Sequence, residues 1–430
     1  MAMPIAIGML LQTLYYLVDL YFVGRLGDVA LAGVSAAGNL AFLIFGLTQI
    51  LNVGTVSMIS QAVGRKDRES ANLFFNQSLM LSGVIGVLLL IVGYGYSENY
   101  LKLIAADQAT VAAGKSYLFF FLPNLALQFA IVAMGASLRG TGIVKPTMVV
   151  QLIAVLINII LAPILISGWG THYPMGVAGA GLASSIAAVV AVILLWRYFQ
   201  KLEHYVSFSS VLFKPQRAIW QKILTVGFPS GVEFLLMFVY MGVIYWTIKD
   251  FGSAAQAGFG LGSRIMQSIF LPAMAVAFAL PAIVGQNYGA KLNDRVIESF
   301  KKASLIVSFL MVILTLLSIW NPIVFFRPFT SDPDVLKVAI GFISVISFNF
   351  VPSGLIFTSS GLFQGLGNTW PSLIATSTRI ISFVLPAIWL SHQPGFHLEQ
   401  LWHLSMATVI FQSLLNLFFA RHEMKKRAII

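Results

Sequence analysis

Two residue classes that soluble proteins rely on are scarce or missing in this chain of 430 residues. It contains no cysteine, which excludes disulfide frameworks, thiolate metal sites and cysteine nucleophiles. Charged residues make up only 10%, whereas soluble globular proteins average about 25%. Because so few charges cannot cover a water-facing surface, and because 58% of the residues are hydrophobic, we expect a protein embedded in lipid.

Sequence signatures of enzymes are missing as well. The chain has no His-Glu-x-x-His pair, no Gly-rich loop ending in Gly-Lys-Ser or Gly-Lys-Thr, and no nucleophile elbow. We therefore expect no catalytic residue, no metal and no cofactor. The net charge is +11, but the basic residues lie in short gaps between apolar segments rather than on one face. This distribution predicts no nucleic-acid partner.

Apolar segments of the length that crosses a bilayer, about 20 residues, recur along the whole chain. The first one lacks a basic lead-in and a small-residue cleavage site, so we expect it to remain as a helix. We predict an all-α integral membrane protein of twelve helices. These helices span residues 3–23, 30–59, 75–96, 113–138, 144–166, 176–199, 221–248, 256–285, 300–325, 336–363, 370–391 and 401–421.

The lysines and arginines predict the orientation in the membrane. With both termini in the cytoplasm, eighteen of the 26 basic residues fall in cytoplasmic gaps and six in outer gaps, while Arg264 and Arg379 fall inside or at the edge of spans. Cytoplasmic loops of membrane proteins carry the excess of basic residues. The bias predicts a multi-pass protein of the cell (inner) membrane with two cytoplasmic termini.

The two halves of the chain match each other at a constant offset of 225 residues, with no gap needed. The matches predict two six-helix bundles that are parallel repeats, because six crossings return the chain to its starting side. We assign 1–200 to an N-lobe, 201–220 to a cytoplasmic linker and 221–430 to a C-lobe. The matched pairs are Pro4 with Pro229, Ala32-Gly33 with Ala257-Gly258, Gln61 and Gly64 with Gln286 and Gly289, Gly140 and Gly142 with Gly365 and Gly367, and Pro146 with Pro371.

The matched segments, in their order along the chain, resemble the multidrug and toxic compound extrusion (MATE) family over nearly the whole sequence. The segments that carry the resemblance are Asp19-x-x-Phe22-Val23-Gly24-Arg25-Leu26-Gly27, Gln61-x-x-Gly64-x-x-Asp67 with Gln286-x-x-Gly289, Leu138-Arg139-Gly140-x-Gly142-x-x-x-Pro146 with Gln364-Gly365-x-Gly367-Asn368-Thr369-x-Pro371, and Gly176-Val-Ala-Gly179-Ala180-x-x-Ala183-Ser184. The resemblance implies the two-bundle fold of that family and a transport function.

The resemblance implies a secondary active antiporter that exports organic cations or toxic amphiphiles by alternating access. Protons are the expected counter-ion and sodium is the alternative, since no nucleotide site is present. A flippase for lipid-linked precursors, from the same superfamily, is a second alternative, although the scarcity of basic residues inside spans disfavours it. The expected partners are a small-molecule substrate and the lipid bilayer, and one two-lobed chain is expected to act as a monomer.

Two acidic residues lie well inside predicted helices, where an ionisable group is costly and marks a functional candidate. The first is Asp19, with Tyr15 one turn and Gln12 about two turns earlier on the same helix face. Asp19 and Tyr15 are predicted to couple transport to a cation, and Gln12 to contact substrate. The alternative for Asp19 is a structural acid that hydrogen-bonds neighbouring helices.

Asn158 and Ser184 complete the predicted cation site. The segment Asn158-Ile-Ile-Leu161-Ala162-Pro163 resembles the family's Asn-x-x-Leu-Asp-Pro motif, with Ala162 in place of the acid. A sodium site would lose a charged ligand at that position, and hard cations need several oxygens, so we expect protons. The alternative for Asn158 is a hydrogen bond that packs two helices.

Glu233 is the second acid inside a predicted helix, and its repeat partner is Gly8. The NorM-type branch has its acid about one turn further along, where this chain has Met237, and no acid occurs between Asp334 and Glu399. The chain therefore resembles the bacterial DinF-like branch more than NorM. Glu233 and Met237 are predicted substrate contacts. For Arg264 and Arg379, the two arginines of the spans, snorkelling to an interface is the simpler expectation. The alternative is a charge partner for Glu233 or for an anionic group of the substrate.

Overall fold

The computed structural model describes residues 1–104, 107–201 and 206–430, and all regular structure in these ranges is helical. Twelve helical spans are long and apolar enough to cross a membrane, which confirms the predicted all-α membrane architecture. The helices are α1 Ala2–Gly24, α2 Asp28–Gly64, α3 Arg68–Ile104, α4 Gln108–Gly140, α5 Lys145–Ser167, α6 Val177–Lys201, α7 Arg217–Ile248, α8 Ser253–Gly289, α9 Asn293–Trp320, α10 Ile323–Phe326, α11 Pro333–Ile346, α12 Phe350–Leu366, α13 Trp370–Ser391 and α14 Leu398–Lys426.

Several observed helices extend beyond the predicted bounds, as α3 does over Arg68–Ile104 against the predicted 75–96. Two other predicted helices end early or are interrupted. The helix predicted to reach residue 325 ends at Trp320, because the residue before Pro322 is pushed out of the α conformation, and the short α10 follows. The helix predicted over 336–363 is interrupted by a 3₁₀ turn at Ser347–Asn349. Pro352 has no N–H to donate to the carbonyl of residue 348, so the regular hydrogen-bond ladder breaks there.

The chain forms two compact units, one of residues 3–231 and one of 232–430. In the first unit, α4 packs against α2, α3 and α6 around a core that includes the fully buried Phe129. In the second, α8 packs against α9, α11 and α12 around cores that include Phe350 and Phe363. The 225-residue offset relates α2 to α8, and α4 to α11 and α12 together. The packing of α2 against α4 in the first unit therefore corresponds to the packing of α8 against α11 and α12 in the second.

Amide side chains of α3 hold the described part of the segment predicted as a linker, 206–216, by its backbone. Asn76 and Gln77 both donate to and accept from this backbone, and Asn72 accepts from it, at 2.6–3.0 Å. The bonded backbone groups belong to Ser207, Ser209, Leu212, Lys214 and Gln216. A loop near the membrane must satisfy its backbone polar groups, and here α3 does so. The described part of the segment is thereby fixed to the first unit.

Helices α2 and α7 touch at backbone distance within the first unit, at glycines. A Cβ on Gly227 would overlap the carbonyl oxygen of Ile50, and a Cβ on Gly54 would overlap the carbonyl oxygen of Ile223. Small residues are the usual means by which membrane helices approach so closely, since lipid provides no hydrophobic drive to bring them together. These two glycines are therefore required for the observed crossing of the helices.

We expect Gly227→Ala to destabilise the protein, because the added methyl group forces α2 and α7 apart. Overpacking of this kind costs about 1–3 kcal/mol. Gly242→Ala is the matched control, since it lies on the same helix and its Cβ would meet nothing within 4 Å. Melting of the detergent-purified variants should show a lower midpoint for Gly227→Ala alone, and equal midpoints for both variants would contradict the crossing.

Candidate functional site

The carboxylate of Asp19 lies inside the first unit, on α1, and the residue is only 9% exposed. Its Oδ2 accepts a hydrogen bond from the hydroxyl of Ser184 on α6 at 3.2 Å. Its Oδ1 is buried and has no hydrogen-bond partner of regular geometry in the part of the chain that the structure describes. An ionised carboxylate with one neutral hydrogen bond in a dry setting is poorly compensated. A bound proton or cation would supply the missing compensation.

The structure brings all four residues of the predicted cation site together. Tyr15, one turn before Asp19, interacts with both Asp19 and Ser184. Asn158 of α5 is fully buried beside the Asp19 carboxylate, yet neither its Nδ2 nor its Oδ1 has a hydrogen bond of regular geometry. Ala162, one turn beyond Asn158, is also fully buried. Three helices therefore contribute one carboxylate, one amide and two hydroxyls to a single cluster.

Glycines in α6 set the position of Ser184. A Cβ on Gly179 would overlap the backbone of Leu165 on α5, and one on Gly181 would come within 2.6 Å of the Tyr117 carbonyl oxygen on α4. Because neither glycine has a side chain, α6 lies directly against both helices. The Ser184 hydroxyl, about one turn further along, consequently reaches the cluster around Asp19.

The three predicted substrate contacts, Gln12, Met237 and Glu233, differ from one another in their exposure. Gln12 is exposed on α1, two turns before Asp19, and Met237 is 45% exposed on α7. Glu233, also on α7, interacts with Ser372 of α13, and its Oε1 is buried without a hydrogen-bond partner. Whether these side chains contact substrate stays a prediction.

Glu423, near the end of α14, is only 4% exposed. It accepts hydrogen bonds from Asn368 at 2.8 Å and from Arg427, one turn later, at 3.0 Å. Arg427 also donates to the Tyr288 hydroxyl at 3.0 Å. Asn368 and Tyr288 lie in the paired loop motifs, so the end of α14 ties two loops of the second unit together. The i, i+4 spacing of Glu423 and Arg427 was the available signal.

Two arginines that the sequence placed at membrane surfaces or loops turn inward. Arg139 donates to Asn52 on α2, and Asn52 in turn donates to Gln49 at 2.8 Å. Arg379 on α13 places its guanidinium 4.5 Å from the ring centre of Tyr240 on α7. The snorkelling expectation for Arg379 was therefore wrong, because an aromatic ring of the same unit provides a closer site than the membrane surface.

Glu423→Gln should lower the thermal stability of the protein, since it removes the charge that pairs with Arg427 in a mostly buried setting. The expected loss is about 2 kcal/mol. Glu298→Gln is the matched control, because Glu298 pairs with Lys302 at the same i, i+4 spacing on α9 but is 58% exposed. Its expected loss is much smaller, because an ion pair between solvent-exposed side chains contributes little to stability. Melting midpoints measured in one detergent would test this, and equal shifts would refute it.

A comparison with protein-family models identifies the chain. The family model described as MatE matches residues 4–164 and again residues 229–390. The two matches begin 225 residues apart, which is the offset of the internal repeat, so the duplication predicted from the sequence is confirmed. Together the matches cover well over half of the chain.

Relatives of known function are similar over most of their length. A FAD transporter of Shewanella oneidensis is 25% identical over 393 residues, which covers 90% of this chain and 85% of that protein. The multidrug export protein MepA of Staphylococcus aureus is 26% identical over 371 residues, covering 85% of this chain and 80% of that protein. The first is named as a transporter of FAD and the second as an exporter of multiple drugs.

Solved structures share the whole fold. A MATE protein in its bent conformation superimposes with a TM-score of 0.93 at 25% identity, covering 99% of this chain and 94% of the other. A MOP-superfamily transporter of Pyrococcus furiosus gives a TM-score of 0.90 at 25% identity, with 99% and 95% covered. With two matches to one family model and a shared fold, the chain belongs to the MATE family of multi-pass membrane transporters.

Proposed function

We propose that this protein is a proton-coupled antiporter that exports organic cations or other amphiphiles. The observation that carries the proposal is the buried Asp19 carboxylate, whose Oδ2 accepts a hydrogen bond from the Ser184 hydroxyl and whose Oδ1 has no hydrogen-bond partner of regular geometry among the described residues. A proton neutralises such a group without requiring further ligands. Family membership and the MepA relative support export of small molecules.

In the proposed cycle, the proton and the substrate favour different states of the transporter. Protonation of Asp19 from the outside removes the charge that a cationic substrate would pair with, and thereby favours the state that returns inward. A ligand shifts a conformational equilibrium only by its difference in affinity for the two states. The two ligands must therefore be coupled through the Asp19 cluster, which includes Tyr15 and Asn158.

Protons fit the cluster better than sodium does. A hard cation such as sodium is held by several oxygens. The residues around Asp19 supply one carboxylate, the amide oxygen of Asn158 and two hydroxyls. At the position where the family's motif has a second acid, this chain has the fully buried methyl group of Ala162.

Transport of an anionic cofactor is a second candidate function. The relative from Shewanella oneidensis carries the name of a FAD transporter and aligns along 90% of this chain. Fluorescent organic cations and FAD, offered separately to proteoliposomes under the same pH gradient, distinguish the two functions. Export of the cation alone supports the first, and export of FAD alone supports the second.

We further propose that the protein acts as a monomer in the cell membrane, with both termini in the cytoplasm. The excess of basic residues in the assigned cytoplasmic gaps supports this orientation. The twelve spans support the multi-pass arrangement, because an even number of crossings returns the chain to its starting side.

Asp19→Asn should abolish efflux driven by a pH gradient while the protein still folds, because asparagine retains the size and polarity of the side chain but takes up no proton. The measurement is export of a fluorescent organic cation from proteoliposomes under an imposed gradient. Asp28→Asn is the control, since Asp28 is an exposed acid of the same unit and the change in net charge is the same. Undiminished efflux by Asp19→Asn would rule the assignment out.

The choice between protons and sodium is tested at position 162. The unmodified protein should export substrate under a pH gradient and not under a sodium gradient alone. Ala162→Asp, which restores the second acid of the family motif, should introduce sodium-driven export, since it adds a charged oxygen ligand one turn from Asn158. Sodium-driven export by the unmodified protein would show that the cluster already holds sodium.

A further inference from the structure

A second polar cluster lies inside the second unit, and it is centred on a cation rather than an acid. The guanidinium of Arg379 on α13 lies 4.5 Å from the ring centre of Tyr240 on α7. Its Nη1 donates to the side-chain oxygen of Gln412 on α14 at 3.4 Å. Three helices thus contribute to a site that the proposed proton coupling does not use.

The neighbours of Arg379 are themselves held in place. Gln412 is 3% exposed, and its amide nitrogen donates to the hydroxyl of Thr376 at 2.9 Å, so that its oxygen faces the guanidinium. The Tyr240 hydroxyl is hydrogen-bonded to the Ser405 hydroxyl at 2.8 Å, which fixes the ring under the cation. The side chains around Arg379 are therefore arranged in advance, as a binding site requires.

Arg379 lies deep within its span. It is nine residues from the first residue of α13 and twelve from the last, or about 14 and 18 Å along the helix axis. An ionised side chain at such a depth is costly unless it is paired. The cation–π contact and the neutral hydrogen bond leave the positive charge of Arg379 unneutralised, so a bound anion would stabilise it at this position.

No carboxylate of the residues that the structure describes lies within 4.0 Å of Arg379. Of the inward acids of this unit, Glu423 pairs with Arg427, and Glu233 interacts with Ser372. Glu233 is seven residues before Tyr240 on α7, and Ser372 is seven residues before Arg379 on α13, so Glu233 and Arg379 are about 10 Å apart along both helices. The Nε of Arg379 is buried and has no hydrogen-bond partner among the described residues.

An unpartnered amide provides an independent observation. Asn416 is one turn after Gln412 on α14, is fully buried, and has no hydrogen-bond partner for either Nδ2 or Oδ1. Because the i and i+4 positions share a helix face, its amide is on the same side of α14 as Gln412. Buried amides are normally paired, so an additional polar group from a ligand is expected here.

We propose that Arg379, together with Tyr240, Gln412 and Asn416, binds the anionic group of an amphiphilic substrate. The chemistry recognised is a carboxylate or a phosphate, which matches the planar N–H donors of a guanidinium, attached to an aromatic or apolar body. The inference rests on the proposed transport function and adds to it a substrate class, namely anions and zwitterions.

The test compares two pairs of fluorescent probes that differ only in an anionic group. Riboflavin and its 5′-phosphate differ in a phosphate, and pyrenebutanol and pyrenebutyrate differ in a carboxylate. Equilibrium binding to the detergent-purified full chain, without any gradient, is measured at one ionic strength. The protein should bind at least one anion about tenfold or more tightly than its neutral counterpart, since charge-assisted hydrogen bonds are the strong ones. The pair that shows the preference identifies phosphate or carboxylate.

Arg379→Gln should lower the affinity for that anion about tenfold and leave the neutral probe within about twofold. Arg264→Gln is the matched control, because Arg264 is an exposed arginine inside a span of the same unit. Gln412→Leu is a second variant for the case in which Arg379→Gln does not fold. It should reduce the anion preference by a smaller factor, since it removes only the group that orients the guanidinium.

Asp19→Asn separates this inference from the proposed function, since it should abolish driven efflux and keep the anion preference. Three results would overturn the inference: equal affinities within both probe pairs, no measurable binding of either anion, or an anion preference that survives in Arg379→Gln. Loss of the preference in Arg264→Gln to the same degree would also overturn it, because the effect would then reflect net charge and not this site.

Discussion

A polypeptide inside a bilayer has no water to hydrogen-bond with, and this constraint accounts for most of what the structure shows. Every backbone N–H and C=O must be satisfied within the protein, so twelve spans are helical. The two interruptions of the expected helices occur where proline removes a donor, at Pro322 and Pro352. Between α6 and α7, at 206–216, side-chain amides of α3 form hydrogen bonds with the backbone groups.

The same constraint explains why glycine determines which helices touch. Lipid tails solvate apolar side chains as well as a neighbouring helix does, so close van der Waals contact has to hold the bundle together. Gly54 and Gly227 allow α2 and α7 to meet at backbone distance, and Gly179 does so for α6 and α5. The contact between α6 and α5 also places Ser184 at hydrogen-bonding distance from Asp19. The same close approach of helices therefore stabilises the bundle and assembles the candidate site.

Polar groups without partners are expensive in such a setting, and each unit contains a small number of them. In the first unit they include the Oδ1 of Asp19 and the amide of Asn158, and in the second the Oε1 of Glu233, the Nε of Arg379 and the amide of Asn416. The first unit thus contains an incompletely paired acid, Asp19, and the second an incompletely paired cation, Arg379. The repeat therefore supplies the same helical scaffold twice, whereas the chemistry of the two halves differs.

The sequence by itself determined the membrane class, the twelve spans, the duplication and the position of an acid, Asp19, inside an apolar helix, because hydropathy, a constant offset and an acid inside an apolar run are local properties of the chain. The tertiary structure alone decided which side chains meet. Glu423 lies near the end of a predicted span, but in the structure it accepts hydrogen bonds from Asn368, which is distant in sequence, and from Arg427, which is four residues later. Arg379 was expected to snorkel to an interface, but in the structure its guanidinium lies over the ring of Tyr240. Contacts between helices depend on their rotation and close approach, and no local pattern encodes these.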